Sequence, residues 1–162
     1  MTDPNSPQTP SQKPQFRSAQ ETDLPQLIEM LAADELGATR EDTSQPINRR
    51  YRSAFSAIDR DPNNSLIVAD LDAKLVGMMQ LTFIPYLSHT GSWRCLIEGV
   101  RVHADHRGAG LGRIMIEWAI EAARKRDCQI VQLTSDKQRS GAIRFYESLG
   151  FVASHEGFKL KL

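Results

Sequence analysis

Between Arg107 and Arg113 the chain reads Arg-Gly-Ala-Gly-Leu-Gly-Arg, with glycines at 108, 110 and 112. Val100 and Val102 precede this stretch and an amphipathic repeat follows it, so a strand runs into a glycine-rich turn and the turn runs into a helix. Glycines there let backbone N–H groups approach an anion closely, and the helix N-terminus adds a favourable dipole. The chemistry such a turn offers is the holding of a phosphate or pyrophosphate with few side-chain charges. The spacing is not the dinucleotide pattern G-x-G-x-x-G, whose third glycine would fall where Arg113 stands, and no Gly-Lys pair exists to make a P-loop. By itself the turn also suits a plain strand-to-helix connection that binds nothing. Glu98 lies upstream on the same strand and is either a proton acceptor or the partner of a nearby cation. With a side-chain period of two, Glu98, Val100 and Val102 are expected on one face.

Other residue types carry less. The histidines at 89, 103, 106 and 155 are scattered, with no pair at helical ligand spacing and no carboxylate cluster to complete a shell, so no metal site is expected. His106 neighbours the glycine turn and reads as a solvated loop residue or a phosphate contact; His89 and His155 are weaker candidates for an acceptor site. Asp34 to Asp42 form an acidic connection that could draw in an ammonium group or simply face water. Arg49, Arg50 and Arg52 could meet an acidic acceptor group or, again, solvent. Met115, Trp118 and Cys128 read as packing.

The elements that must position these residues follow from periodicity. Leu24, Leu27, Ile28 and Leu31 predict a helix capped at Asp23, with Pro25 in its first turn and a stop at Gly37. Ile47, Tyr51, Ala54, Phe55 and Ile58 predict a second, broken at Asp61-Pro62. Leu111 to Arg126 predict a third, with Arg124, Lys125 and Arg126 at its negative end. Ala142, Phe145, Tyr146 and Leu149 share one face of a fourth that closes at Gly150. Strand-like runs are Ser65–Ala69 and Leu75–Ile84, joined as a hairpin through Asp70 to Lys74, then Cys95–His103 and Cys128–Ser135. Phe151–His155 and Phe158–Leu162, parted by Gly157, are expected as a last strand pair. Regular structure should begin at Phe16, giving the order β-α-α-β-β-β-α-β-α-β-β. Strands interleaved with helices and adjacent hairpins predict an α/β fold with a mixed sheet.

Composition sets outer bounds. Twenty Lys+Arg balance twenty Asp+Glu over 162 residues, against the basic excess of a nucleic-acid binder. No apolar run approaches the roughly 18 residues of a membrane span, so no membrane partner is expected. Cys95 and Cys128 form no C-x-x-C pair, which suits a reduced, cytoplasmic setting. Residues 1–15 hold four of the eight prolines and almost nothing apolar, so they are expected to be a disordered leader before one domain over 16–162.

Three blocks together carry a resemblance. Arg107-x-x-Gly110-x-Gly112 resembles the acyl-CoA-binding motif of the GNAT superfamily of N-acetyltransferases, and Ile97-Glu98-Gly99-Val100-Arg101-Val102 is similar to the strand that precedes it. Ala142-Ile-Arg-Phe-Tyr146-Glu-Ser-Leu-Gly150-Phe151 is similar to the family's A-x-x-F-Y-x-x-x-G-F segment. One helix and one strand separate the two motifs, as in the family, and the resemblance extends over Phe16–Leu162. Many members have Asn where Arg139 stands; in this, and in residues 154–162, the chain resembles the aminoalkylphosphonate N-acetyltransferase branch.

The resemblance implies the GNAT fold, a mixed, mostly antiparallel sheet flanked by helices, and transfer of an acetyl group from acetyl-CoA, the cosubstrate, to a primary amine of a small molecule. Protein lysines or N-termini are the alternative acceptors, and a non-catalytic acyl-CoA sensor is the alternative class. It also implies that Arg107, Gly108, Ala109, Gly110, Leu111, Gly112, Arg113 and Arg139 bind the cofactor, and that Val100, Arg101 and Val102 hold its pantetheine arm as an extra strand would. An alkyl ammonium with a pKa near 10.4 cannot attack at neutral pH until a proton is removed. By resemblance Glu98 is the base and Tyr146 the group that protonates the departing thiolate. Family members are often dimers, and the expected terminal strands could supply such an interface.

Overall fold

The computed structural model describes residues 13–33 and 35–162. The expected leader falls, through residue 12, outside them, as does Asp34 of the acidic connection. Five strands form one sheet in the order β1 (Gln15–Ser18), β2 (Asn64–Leu71), β3 (Lys74–Pro85), β4 (Trp93–Val102) and β5 (Cys128–Leu133). The first three neighbouring pairs are antiparallel and β4–β5 is parallel. The sheet is therefore mixed and mostly antiparallel, as expected.

Helices cover both faces. α1 (Leu24–Ala32) has proline in its first turn and buries Leu24, Leu27, Ile28 and Met30. Leu27 and Met30 pack with Val68, Leu75 and Met78 on one face of the sheet, each such side chain contributing about 1.5–3 kcal/mol of burial. α3 (Arg49–Arg60) lies over β2 and is capped by Asn48, whose side chain accepts from the Arg50 N–H at 3.0 Å. α5 (Leu111–Lys125) buries Leu111, Met115, Ile116, Ala119 and Ala123 against the other face, among Ile67, Met79, Leu81 and Ile97. α6 (Ser140–Glu147) adds Phe145 and Tyr146 to that same core. Trp118 of α5 stacks on Phe16 of β1 at 5.0 Å.

Three expectations need correction. Gly37 does not stop α1, which ends at Ala32; it lies within α2 (Glu35–Ala38), a separate single turn. Another short turn, α4 (Ser88–Gly91), joins β3 to β4, with His89, Thr90 and Gly91 all at positive φ. The last strand pair does not form: residues 151–162 lie outside regular structure, and Val152, Phe158, Leu160 and Leu162 are exposed. An alternating pattern specifies a strand only where an edge hydrogen-bonds it, and within this chain the segment meets none.

The third correction bears on the site. Met78 pairs with Arg101 and Gln80 with Glu98, so Gly99 and Val100 together oppose the single residue Met79. This is a β-bulge whose first residue, Gly99, adopts a left-handed φ of +59°, a conformation that favours glycine. The bulge breaks the period of two. Glu98, in a row with Gln80 and Leu66, lies on the α1 face, as does Arg101 in its row with Met78 and Val68. Val100 and Val102 pack instead against the α5 core.

Candidate active site

β4 and β5 pair only from Trp93–Cys128 to Ile97–Leu133, while β4 continues to Val102. Residues 98–102 therefore keep one edge clear of β5, with the bulge at its start. Backbone groups along this edge are placed to accept an extended ligand arm as a sheet accepts a strand. The edge leads directly to the glycine turn.

The turn has the geometry of an anion cradle. Gly108 (φ +77°) and Gly110 (φ +82°) are both left-handed, and a Cβ built on either meets no atom within 4 Å, so open space lies over both. Gly110 caps α5, whose first intrahelical bond runs from the Ile114 N–H to the Gly110 carbonyl at 3.2 Å. The N–H groups of residues 111–113 thus begin the helix without intrahelical acceptors. A pyrophosphate fits that donor set, and the free β4 edge fits a pantetheine arm.

The side chains of the motif divide by task. Leu111 points into the core. A Cβ on Gly112 would stand 3.6 Å from Phe145 and 3.9 Å from Val102, so that glycine lets the helix start lie close to α6 and β4. Arg113 turns outward, donating to Ser148 Oγ at 3.0 Å and facing Glu117 at 3.7 Å. The Arg107 Nε donates to the Val102 carbonyl at 3.1 Å, folding the guanidinium back over the strand end. Exposed Ala109 lies between the two cradle glycines. Arg107, Val102, His103 and Ala104 line a cleft of about 210 Å³ whose far wall is Gln26, Glu29 and Met30 of α1 and Ala33 just after it. That α1 wall was invisible to motif reading; only the i, i+3, i+4 spacing of Gln26, Glu29, Met30 and Ala33 hints at it.

The two catalytic candidates flank the open β4 edge. Glu98 is exposed on the α1 face. Tyr146 is half-buried on the α5 face, its ring packed edge-on against Phe145 (5.1 Å) and Phe151 (5.8 Å). Burial pushes the Tyr146 hydroxyl above its ordinary pKa, while the positive charges of Arg101 and Arg139 pull the other way. The net effect keeps the phenol protonated through neutral pH, as a proton donor requires. Arg139 immediately precedes α6 and is half-buried. The structure thus gathers Glu98, Arg101, Arg139, Tyr146 and the glycine turn around one strand end. It leaves His89 apart, in the α4 turn against Tyr86. Among the described residues, no group of three or more His, Cys, Asp or Glu side chains could hold a metal, and no helix is long and apolar enough to cross a membrane.

Residues 25–151 match the acetyltransferase (GNAT) family. An aminoalkylphosphonate N-acetyltransferase of Salmonella typhimurium is 32% identical over 108 residues, which are 67% of this chain and 70% of that one. A glucosamine 6-phosphate N-acetyltransferase of Trypanosoma brucei brucei is 35% identical over 89 residues, 55% of this chain and 58% of the relative. Among solved structures, a Bacillus halodurans C-125 protein described as a transcriptional regulator superposes with a TM-score of 0.90 at 51% identity, covering 93% of this chain and 100% of its own. A mixed five-stranded sheet flanked by helices is the fold of the GNAT acetyltransferases. The chain belongs to the acetyltransferase (GNAT) family and is an acetyltransferase.

Proposed function

We propose that this enzyme transfers the acetyl group of acetyl-CoA to the primary amine of a small molecule. The observation that carries the reading is the run of β4 from 98 to 102, clear of β5 and ending in the Gly108–Gly110 cradle. Acetyl-CoA supplies the acetyl group as a thioester. The N–H groups of residues 111–113 and the turn hold its pyrophosphate, Arg107, Arg113 and Arg139 adding positive charge nearby. Main-chain groups of Gly99 to Val102 align the pantetheine arm, and an N–H donor of the bulge polarises the thioester carbonyl as negative charge develops on its oxygen. Glu98 takes the proton from the substrate ammonium, and Tyr146 gives its phenolic proton to the departing thiolate.

The acceptor class is read from the surroundings of Glu98. Glu98 and Arg101 place opposite charges on one face, a polarity that suits an amine carrying an acidic group, such as an amino acid or an aminophosphonate. The substrate in the name of the Salmonella relative supports the same class. A second reading, an acyl-CoA-binding sensor without turnover, draws on the description of the Bacillus halodurans protein as a regulator.

Thiol release from acetyl-CoA, followed with amino acids, polyamines, aminophosphonates and lysine peptides, tests the proposal. Turnover is expected with a small amine. Turnover confined to peptides moves the acceptor to protein, and CoA binding without thiol release with any amine establishes the sensor.

A further inference from the structure

The sheet face that carries Glu98 changes character along its length. Val68 and Met78 are buried there with Leu27 and Met30 of α1, and Leu66 packs beside them. Past Leu66 the same face continues through Asn64, Gln80, Thr82 and Glu98, all polar and none fully buried. Thr82 lies opposite Asn64 across β2 and β3, and Glu98 lies opposite Gln80 across β3 and β4. Side chains paired in this way stand about 4.5–5.5 Å apart at Cβ.

Hydrogen bonds decide which way these amides turn. Asp61, in the turn after α3, accepts from the Asn63 N–H at 2.9 Å and from Asn64 Nδ2 at 2.6 Å. Both bonds hold its carboxyl below the ordinary pKa, so it is ionised at neutral pH. An ionised carboxylate only accepts, and Asn64 must therefore turn its NH2 to Asp61 and its Oδ1 toward β3. That oxygen accepts from Gln80 Nε2 at 3.1 Å and from Thr82 Oγ1 at 2.8 Å, which uses both of its lone pairs. Gln80 stands between Asn64 on β2 and Glu98 on β4. With Nε2 committed to the β2 side, Oε1 is the amide atom left for the β4 side. Among the described residues, no hydrogen bond reaches it.

We propose, on the reading of this enzyme as an amine acetyltransferase with Glu98 as its base, that Gln80 Oε1 and the Glu98 carboxylate together hold the substrate ammonium. Asp61 and Asn64 are positioning residues that keep Gln80 in its accepting orientation. An alkyl ammonium has an N–H for each of the two oxygens. An alcohol has one O–H and leaves one acceptor unpaired, which weakens its binding. The ligand class is a primary or secondary amine, with at least two N–H bonds when protonated. A glutamine free to turn would instead give its NH2 to Glu98 and occupy the carboxylate that must take the proton.

Thiol release from acetyl-CoA with glycine, spermidine, aminomethylphosphonate and a lysine peptide selects the best acceptor, which then serves as the probe for every variant. Gln80→Met keeps the length of the side chain and deletes the amide. Its KM for the amine should rise about 10-fold or more, the scale of a lost hydrogen bond to a charged group, while kcat changes much less. Asn64→Ala should raise KM in the same direction, although residue 64 makes no contact with substrate. Adding Gln80→Glu to Asn64→Ala should return KM to within about threefold of the parent, because a carboxylate accepts whichever way it turns. A purely structural role for Asn64 gives no such rescue. Calorimetric CoA binding reports whether each variant is folded; if Gln80→Met is not, Asn64→Ala and its double variant decide. A parental KM in Gln80→Met or Asn64→Ala, or a double variant no better than Asn64→Ala, overturns the ammonium site and leaves the transferase intact. Absence of thiol release by the parent with all four amines overturns the transferase reading, and the ammonium site with it.

Discussion

Glu98 and Tyr146 stand on opposite faces of one sheet, on either side of the gap that opens where β4 runs on past β5. A thioester laid along the free β4 edge would have the carboxylate on the α1 side and the phenol on the α5 side. In the proposed roles, base and acid would approach the reacting carbonyl from different directions and need not compete for one proton.

Replacing Glu98 by Gln keeps the size of the side chain and removes its basicity. Steady-state kinetics with a good acceptor should show kcat lowered by about 10²-fold at neutral pH, the usual scale for a lost general base. If Glu98 is the proton acceptor, the acidic limb of the parent's pH–rate profile should vanish in Glu98→Gln, which can accept no proton. A near-parental kcat with an unchanged limb assigns the proton to another acceptor.

Tyr146→Phe keeps the packed ring against Phe145 and Phe151 and deletes one oxygen. CoA affinity should stay within about threefold, while kcat falls by about 10–10³-fold. In the proposed role the working form is the protonated phenol, whose pKa burial raises. The parent should therefore hold its activity up to alkaline pH and lose it as pH rises through that raised value, and Tyr146→Phe should lack this loss. The pH profile of kcat, with chemistry shown to be rate-limiting, checks both points.

Gly110 is left-handed, with open space where a side chain would go. Asn and Asp are the side chains that best tolerate that conformation, so Gly110→Asn and Gly110→Asp should both fold. Calorimetric titration with CoA should show about tenfold weaker binding for the asparagine variant. The aspartate, which adds like charge beside the phosphates, should weaken binding by at least about 10²-fold. Equal affinities for the two variants would remove the phosphates from the turn.

Arg17 of β1 bridges Asp23 and Asp70, each at 2.7 Å, and ties the first strand to both the start of α1 and β2. The Arg17 hydrogen bond, aided by the Gln20 N–H, holds the Asp23 carboxyl below its ordinary pKa. A depressed pKa contributes stability above the unfolded value near 3.9, and that stability is lost as pH falls through the lower folded value. Asp23→Asn should therefore lower Tm by about 2–4 °C at pH 7, the scale of a partly exposed pair, and flatten the fall of Tm below pH 4. Thermal melts from pH 2 to 7 check this.

Much of the fold could be read from residue types and spacing, because those signals are local. The period of Leu24, Leu27 and Ile28, the turn at Asp72 and Ala73, and the run from Val102 through Gly110 into Met115 each specify an element from within one short stretch of chain. The same locality explains why the family motif could be recognised at Arg107–Gly112 and at Ala142–Phe151. Relations between elements were decided only in three dimensions. The bulge at Gly99 depends on how β4 registers with β3, and it carried Glu98 off the face of Val100 and Val102. Gly112, one of three glycines that look alike in the motif, packs beneath Phe145, while Gly108 and Gly110 open the cradle. Phe158, Leu160 and Leu162 announce a strand, yet a strand is completed by the edge it meets, and that edge is a property of the assembled sheet.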